Sequence, residues 1–91
     1  MRFEWDENKR QINLKRHEMD FIDAVKVFDD ETVTLVDDRF DYGEIRFITL
    51  GILQGKVVSI IHAERDDLIR IISFRRAVKH EEEFYFKEIR D

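Results

Sequence analysis

The sequence predicts a single small domain of the α+β class, and three features carry that prediction. The chain has 91 residues, which gives one domain over residues 1–91 and leaves no room for a second. Hydrophobic residues make up 43% of the chain, enough for a core beside 41% charged residues. Helical patterns lie at both ends and strand patterns lie between them, so we expect helices on one face of an antiparallel sheet.

Two helices are predicted before the strands. Asp6 is a suitable N-cap and a basic run ends at His17, which predicts a first helix over residues 7–16. Asp20 then precedes apolar residues at helical spacing, with Asp23 in a position that resembles a capping box. This pattern predicts a second helix over residues 21–28.

Four strands and a closing helix follow. The strands are predicted from β-branched and alternating residues, and they cover residues 32–36, 44–50, 56–63 and 68–74. Their connections are short and hold polar or glycine residues, so we expect antiparallel neighbours. Residues 77–89 hold three acidic side chains early, at positions 81–83, and Lys87 and Arg90 lie at the far end, which predicts a closing helix over residues 77–89.

Composition excludes several classes of function. The chain has no cysteine, so disulfides, thiolate metal sites and a thiol nucleophile are absent. No apolar run is long enough for a membrane span or a secretion signal, and we expect a cytoplasmic protein without a membrane partner. The histidines at 17, 62 and 80 lack metal-site spacing, and there is no glycine-rich phosphate loop. We therefore expect neither a metal nor another cofactor.

The charges are segregated along the chain, although the net charge is −5. Residues 18–44 hold ten acidic and two basic side chains, whereas residues 45–80 hold seven basic and three acidic ones. A local basic surface can bind phosphates on an acidic protein, because charges act over a Debye length of about 10 Å. The alternative is that the acidic and the basic segment both form ordinary solvated surfaces with no binding role.

The segment richest in side chains that could act in catalysis runs from the third predicted strand into the fourth. Cleavage of a phosphodiester without metal needs a base, an acid and cations that stabilise the developing charge. His62 and Glu64 are candidates for proton transfer, and arginine suits phosphate because its fork pairs with two oxygens. Each arginine could instead form a salt bridge, and His62 could be a core residue.

Strand alternation divides the fourth predicted strand between two faces. Regular alternation predicts Arg70, Ile72, Phe74 and Arg76 on one face, and Ile69, Ile71, Ser73 and Arg75 on the other. We therefore expect arginines on both faces.

Two blocks of sequence resemble the BrnT toxin family. The first block contains Phe3-Glu4-Trp5-Asp6, Lys9, Asn13, Arg16-His17, Phe21, Ala24 and Phe28-Asp29-Asp30. The second contains His62-Ala63-Glu64-Arg65, residues 69–77, Glu81 and Tyr85. The blocks cover nearly the whole chain, and together they are far more specific than either alone.

The resemblance implies a RelE-like fold and a ribonuclease that halts translation by cutting RNA. It also implies a BrnA-like ribbon-helix-helix antitoxin that neutralises the enzyme and represses the operon, so that DNA is reached only through the antitoxin complex. Related folds place their chemistry on the open sheet face and the C-terminal helix, which corresponds here to Arg75, Arg76 and Tyr85. His62 and Glu64 complete the predicted catalytic set. The predicted RNA-binding residues are Lys9, Arg16, His17, Arg65, Arg70 and Lys79.

The chain departs from the family pattern at four positions, where it has Arg16, Glu18, Ala63 and Phe74. Glu18 replaces a glycine that would cap the helix in a left-handed conformation, so the turn after His17 is expected to differ. Phe74 would impair catalysis in an active cleft but alter only packing in a core. Two alternatives stay open: an inactive RelE-like module that binds RNA or an antitoxin, and a hydrolase of a small phosphorylated molecule.

Overall fold

The structure is a computed structural model, and it describes residues 1–90. Its elements are β1 (Arg2–Trp5), α1 (Glu7–His17), α2 (Phe21–Val27), β2 (Val33–Asp37), β3 (Arg46–Leu53), β4 (Lys56–Arg65), β5 (Leu68–Arg76) and α3 (Lys79–Arg90). The predicted α+β class is confirmed. No helix in the described part of the chain is both long and apolar enough to cross a membrane.

The strands form one five-stranded mixed sheet in the order β1-β5-β4-β3-β2. β1 runs parallel to β5, and the other neighbours are antiparallel. The prediction of a four-stranded, wholly antiparallel sheet is therefore wrong. β1 has only four residues, and its partner β5 lies more than 60 positions away in sequence. Local pattern does not reveal a pairing of this kind.

The two N-terminal helices begin as the sequence predicts. The Asp6 side chain accepts hydrogen bonds from the backbone N–H groups of Asn8 and Lys9, and Asp20 accepts one from Ile22. Glu18 occupies the C-cap of α1 with a left-handed φ of 56°, and its N–H donates to the Leu14 carbonyl at 2.9 Å. The left-handed turn is thus retained without glycine, and the expected change of turn is not observed.

Helices cover both faces of the sheet, unlike the one-face arrangement that the sequence predicts. On the first face, α2 packs on β4 and β5 through a core of Phe21, Ala24, Val27, Val58, Ile60, Ile69, Ile71 and Phe74. On the second face, Tyr85 of α3 packs against Leu50 and Val57. This second contact involves one end of β3 and β4, and the remainder of that face is more open.

A bulge in β5 changes which side chains share a face. Ile61 pairs with Ser73 but His62 pairs with Ile71, so Ile72 is an extra residue on β5. Phe74 consequently joins Ile71 in the α2 core, while Ser73 and Arg75 lie on the opposite face with Arg70. The predicted regular alternation is wrong at this point. Phe74 is fully buried, so the departure at this position concerns packing.

The outer edge of β5 is covered partly by the side chain of one residue of α1. β1 ends at Trp5, which pairs with Ile71. Beyond this point, at Phe74, the Asn13 side chain hydrogen-bonds to the backbone of β5. The Asn13 amide donates to the Phe74 carbonyl at 2.7 Å and accepts from the Phe74 N–H at 3.1 Å. It also donates to the Met19 carbonyl at 3.0 Å. This buried side chain thereby attaches α1 to β5.

His62 lies in the core on the α2 side of the sheet. Its ring stacks on Phe47 and forms a T-shaped pair with Phe28, and its Nε2 lies 2.7 Å from the Thr49 hydroxyl. Burial lowers the pKa of His62 from 6.5 to about 4. The histidine is therefore neutral at pH 7.

Replacing Asn13 with alanine should destabilise the fold by about 2–3 kcal/mol, because the Phe74 N–H and carbonyl would lose buried partners. Urea denaturation would measure the change. Gln11→Ala on the exposed side of α1 is the control and should change stability by less than about 0.5 kcal/mol. A loss in Asn13→Ala no larger than in this control would contradict the role assigned to the amide.

Stability should fall as the pH decreases from about 6.5 to about 4, since unfolded His62 binds a proton in this range and folded His62 does not. The shift corresponds to about 3 kcal/mol between these limits. Urea denaturation across this range should show a smaller pH dependence in His62→Gln, which does not titrate. Equal pH dependence in both proteins would show that His62 is not buried as a neutral side chain.

Candidate functional site

A cleft of about 230 Å³ lies between α1 and the bulged part of β5. Seven residues line it: Lys9, Ile12, Asn13, Arg16, His17, Ile72 and Ser73. Three of them are basic residues that the sequence analysis selected. None of the seven is acidic, so the cleft suits a phosphate group.

The architecture of α1 explains how these basic residues come together. Lys9, Asn13 and Arg16 are separated by four and three positions, which places them on one face of a helix. The Asn13 amide holds this face against β5, so Lys9 and Arg16 flank the attachment point. Both basic side chains are exposed and can reach a ligand.

The surroundings of His17 in the cleft change its pKa. The side chain is half-buried at the end of α1. Its pKa is lowered from 6.5, first by burial and then by the positive charges of Arg16 and Arg75. The neutral imidazole therefore predominates at pH 7, and a neutral imidazole can accept a proton.

Arg75 extends the basic group from the cleft toward α3. It lies on the same face as Ser73, and its guanidinium holds Glu81 with two contacts, Nη1–Oε1 at 2.9 Å and Nη2–Oε2 at 3.0 Å. Glu81 also accepts a hydrogen bond from the Val78 N–H at 2.9 Å, near the start of α3. A phosphate can occupy the same two-pronged geometry as this carboxylate.

Two exposed basic residues, Arg76 and Lys79, follow the half-buried Arg75 in sequence. Arg76 ends β5 and Lys79 begins α3. Arg76 pairs with Val58 of the α2-side core, so its side chain lies on the face opposite to that of Arg75, and neither Arg76 nor Lys79 lines the cleft. We call Lys9, Arg16, His17 and Arg75 the basic surface.

Two other predicted RNA-binding residues lie elsewhere. Arg65 and Arg70 line a larger cleft of about 530 Å³ at the other end of β5, together with Glu4, Glu44 and Glu64. Arg70 is paired with Glu44, and Glu44 also binds Arg46. Carboxylates outnumber guanidinium groups in this lining, so this cleft suits a polyanion less well than the basic surface.

Two predicted catalytic residues are buried in the two cores. His62 is 1% exposed on the α2 side of the sheet. Tyr85 is equally buried, and its hydroxyl donates to the Glu31 carbonyl at 2.9 Å. Burial also raises the pKa of Tyr85. The third, Glu64, is exposed at the end of β4, with Oε1 4.0 Å from His62 Nδ1. The structure does not bring these three residues to the basic surface.

Three residues that shape the site are not among those predicted from the sequence to form it. Asn13 attaches α1, Ser73 lines the cleft and Glu81 holds the Arg75 fork. The spacing of Lys9, Asn13 and Arg16 was the available signal for Asn13, since a polar residue lies between two basic ones on one helical face. Within residues 1–90, no three His, Cys, Asp or Glu side chains are grouped to hold a metal ion.

Comparison with known proteins gives the chain a family. A search of curated protein sequences found no match. The family model described as ribonuclease toxin, BrnT, of type II toxin-antitoxin system matches residues 5–81. This match begins at Trp5, the last residue of β1, covers α1, α2 and the strands β2 to β5, and reaches Glu81 in α3. The chain belongs to the BrnT family of ribonuclease toxins of type II toxin–antitoxin systems.

Proposed function

We propose that this protein is a metal-independent endoribonuclease that inhibits translation by cleaving RNA, and that a cognate antitoxin neutralises it. The position of His17 supports this proposal most directly. The side chain lies in a cleft with cationic side chains, and the positive charge of Arg75 contributes to lowering its pKa. A proton acceptor and phosphate-binding groups are thus in one place. Membership of a ribonuclease toxin family supports the choice of RNA as substrate.

In the proposed reaction, neutral His17 removes the proton from a ribose 2′-hydroxyl. The 2′-oxygen then attacks the adjacent phosphorus, and the bond from phosphorus to the 5′-oxygen breaks. The imidazolium formed on His17 returns its proton to the departing 5′-oxygen, which leaves a 2′,3′-cyclic phosphate on the other fragment. One group acts as base and then as acid, so the protons balance.

Arg75 and the cations of α1 stabilise the charge that develops on the phosphate oxygens. The fork of Arg75 has the geometry for two phosphate oxygens, and Glu81 occupies that fork in the present structure. RNA would therefore have to replace this carboxylate. Lys9 and Arg16 are exposed and can bind the neighbouring phosphates without breaking an internal ion pair of this kind.

The ion pair between Arg75 and Glu81 favours one alternative function, that of a binding module without catalytic activity. If Glu81 keeps the fork, the protein would bind RNA or a partner through the remaining cations without cleaving RNA. It would then be an inactive module that has retained the fold. Cleavage assays separate this alternative from the first proposal.

The proposed partner is a BrnA-like ribbon-helix-helix antitoxin, and DNA would be bound only through the antitoxin complex. The type II family implies a protein antitoxin, which supports this proposal. The acidic segment over residues 18–44 also suits a basic protein better than it suits RNA or DNA.

His17→Ala and Arg75→Ala should each reduce RNA cleavage in excess chelator by about 100-fold or more, because they remove the proton acceptor or a contact with developing charge. Single-turnover assays on a fluorescent RNA would measure the rates. Arg65→Ala is the matched control, since Arg65 lies at the mixed-charge cleft. Circular dichroism would confirm that each variant is folded.

Wild-type rates in both folded variants would contradict the placement of the active site. RNA binding without cleavage by the wild-type protein would support the inactive module instead.

RNA affinity should also depend on salt. If three cations of the basic surface contact phosphates of a single strand, log affinity should fall against log salt with a slope near −2, from about 0.7 per phosphate. Fluorescence anisotropy with a 2′-deoxy-substituted, uncleavable oligonucleotide measures this slope. Arg16→Ala should reduce its magnitude by about 0.7. A flat dependence would mean that RNA does not bind the basic surface.

A further inference from the structure

The outer edge of β2 has no paired strand in the described part of the chain. β2 is the last strand of the sheet and pairs only with β3 among the described residues. In such a strand, alternate backbone N–H and C=O groups point outward and can pair with another chain. Proteins usually protect an edge of this kind with lysine, proline or a covering segment, and the residues of β2 are Val-Thr-Leu-Val-Asp.

Apolar side chains accompany this open edge. Leu35 and Val36 lie on opposite faces of β2 and are 41% and 60% exposed. Phe40 and Ile45, in the loop that joins β2 to β3, are each 68% exposed. The other edge strand, β1, differs because it has four residues and its Phe3 and Trp5 pack against the core. Among the described residues, four of the eight exposed large hydrophobic side chains thus lie in β2 and the loop after it.

The loop after β2 is held in position by polar contacts. Buried Asp37 accepts hydrogen bonds from Arg39 Nε at 2.8 Å and from the Tyr42 hydroxyl at 3.0 Å. The Phe40 and Tyr42 rings form a T-shaped pair with a centroid distance of 5.8 Å. A partner would thus meet an ordered apolar surface and would not need to order this loop first.

Acidic side chains surround the edge and indicate the chemistry of its partner. Asp29, Asp30 and Glu31 precede β2, and Asp38 and Asp41 follow it; all five are exposed. A second copy of this chain would bring the same five carboxylates close to these, and like charges at an interface oppose association. A nucleic acid would be repelled for the same reason. A protein segment with basic and apolar residues fits.

We propose that the edge of β2 and the loop after it, residues 33–45, are the docking surface for the antitoxin, which adds an extended segment of alternating apolar and basic residues to the sheet. The identity of the partner rests on the proposed function, and the position of the surface rests on the geometry of β2. Backbone hydrogen bonds would provide affinity, and contacts with Leu35 and Val36 would fix the register. RNA binds elsewhere, at the basic surface.

Hydrogen exchange tests this position directly. The wild-type toxin is measured alone and in complex with the full-length antitoxin encoded beside the toxin gene. Slower exchange of the backbone amides in residues 33–37 within the complex is the expected result. Protection confined to α1 and β5, with exchange in β2 unchanged, would overturn the proposal.

Variants provide a second test. Val36→Lys should weaken antitoxin binding by about tenfold or more, because the charge would be placed against apolar partner groups. Ile22→Lys, at a site on α2 that is 49% exposed, is the matched control and should bind as wild type. Reversal of charge in the Asp38→Lys/Asp41→Lys variant should also weaken binding, whereas Glu4→Lys on β1 should not.

Two further measurements separate the possible failures. RNA cleavage by Val36→Lys should equal the wild-type rate, which shows that the variant is folded and that docking is distinct from catalysis. If wild-type protein cleaves no RNA, the proposed activity fails, while exchange and affinity still report on docking. A wild-type dimer in sedimentation that Val36→Lys abolishes would show that a second copy covers β2, and this would overturn the proposal.

Discussion

The candidate site depends on one side chain, the amide of Asn13, which completes the edge of the sheet in place of a strand. β1 covers β5 as far as Ile71, and beyond that point Asn13 satisfies both the N–H and the carbonyl of Phe74. Buried backbone groups without partners are costly, so this docking is strongly determined. It fixes the position of α1, and therefore of Lys9, Arg16 and His17, relative to β5.

The bulge at Ile72 makes this arrangement compatible with an apolar core. It turns Phe74 into the core and places Ser73 and Arg75 on the opposite face. Without the extra residue, Phe74 would share a face with Arg70, as regular alternation predicts. The bulge and the Asn13 contact together form a cleft without carboxylates in its lining, on a protein whose net charge is −5. Local charge thereby differs from total charge, and local charge governs phosphate binding.

The sequence allowed the class, the helix starts and the family to be predicted, because these depend on local pattern. Asp6 and Asp20 cap the helices as expected. β1 and the bulge could not be predicted, since each is defined by a partner strand distant in sequence. His62 and Tyr85 have side chains typical of catalysis, but their burial depends on the tertiary packing of Phe28, Phe47 and α3. For the site itself, Arg75 and the basic residues of α1 could be selected from the sequence. The sequence did not show that Arg65 and Arg70 lie in a different cleft, because this depends on how the strands are arranged in the sheet.

The most direct test of the account is the pH dependence of kcat/KM for RNA cleavage in excess chelator, measured beside an NMR titration of His17. kcat/KM reports the ionisation of the free enzyme. We expect an acidic limb with a midpoint below 6.5 that equals the NMR pKa of His17. This limb should disappear in His17→Ala and persist in His62→Gln. An unchanged limb in folded His17→Ala would contradict the assignment of His17 as the proton acceptor.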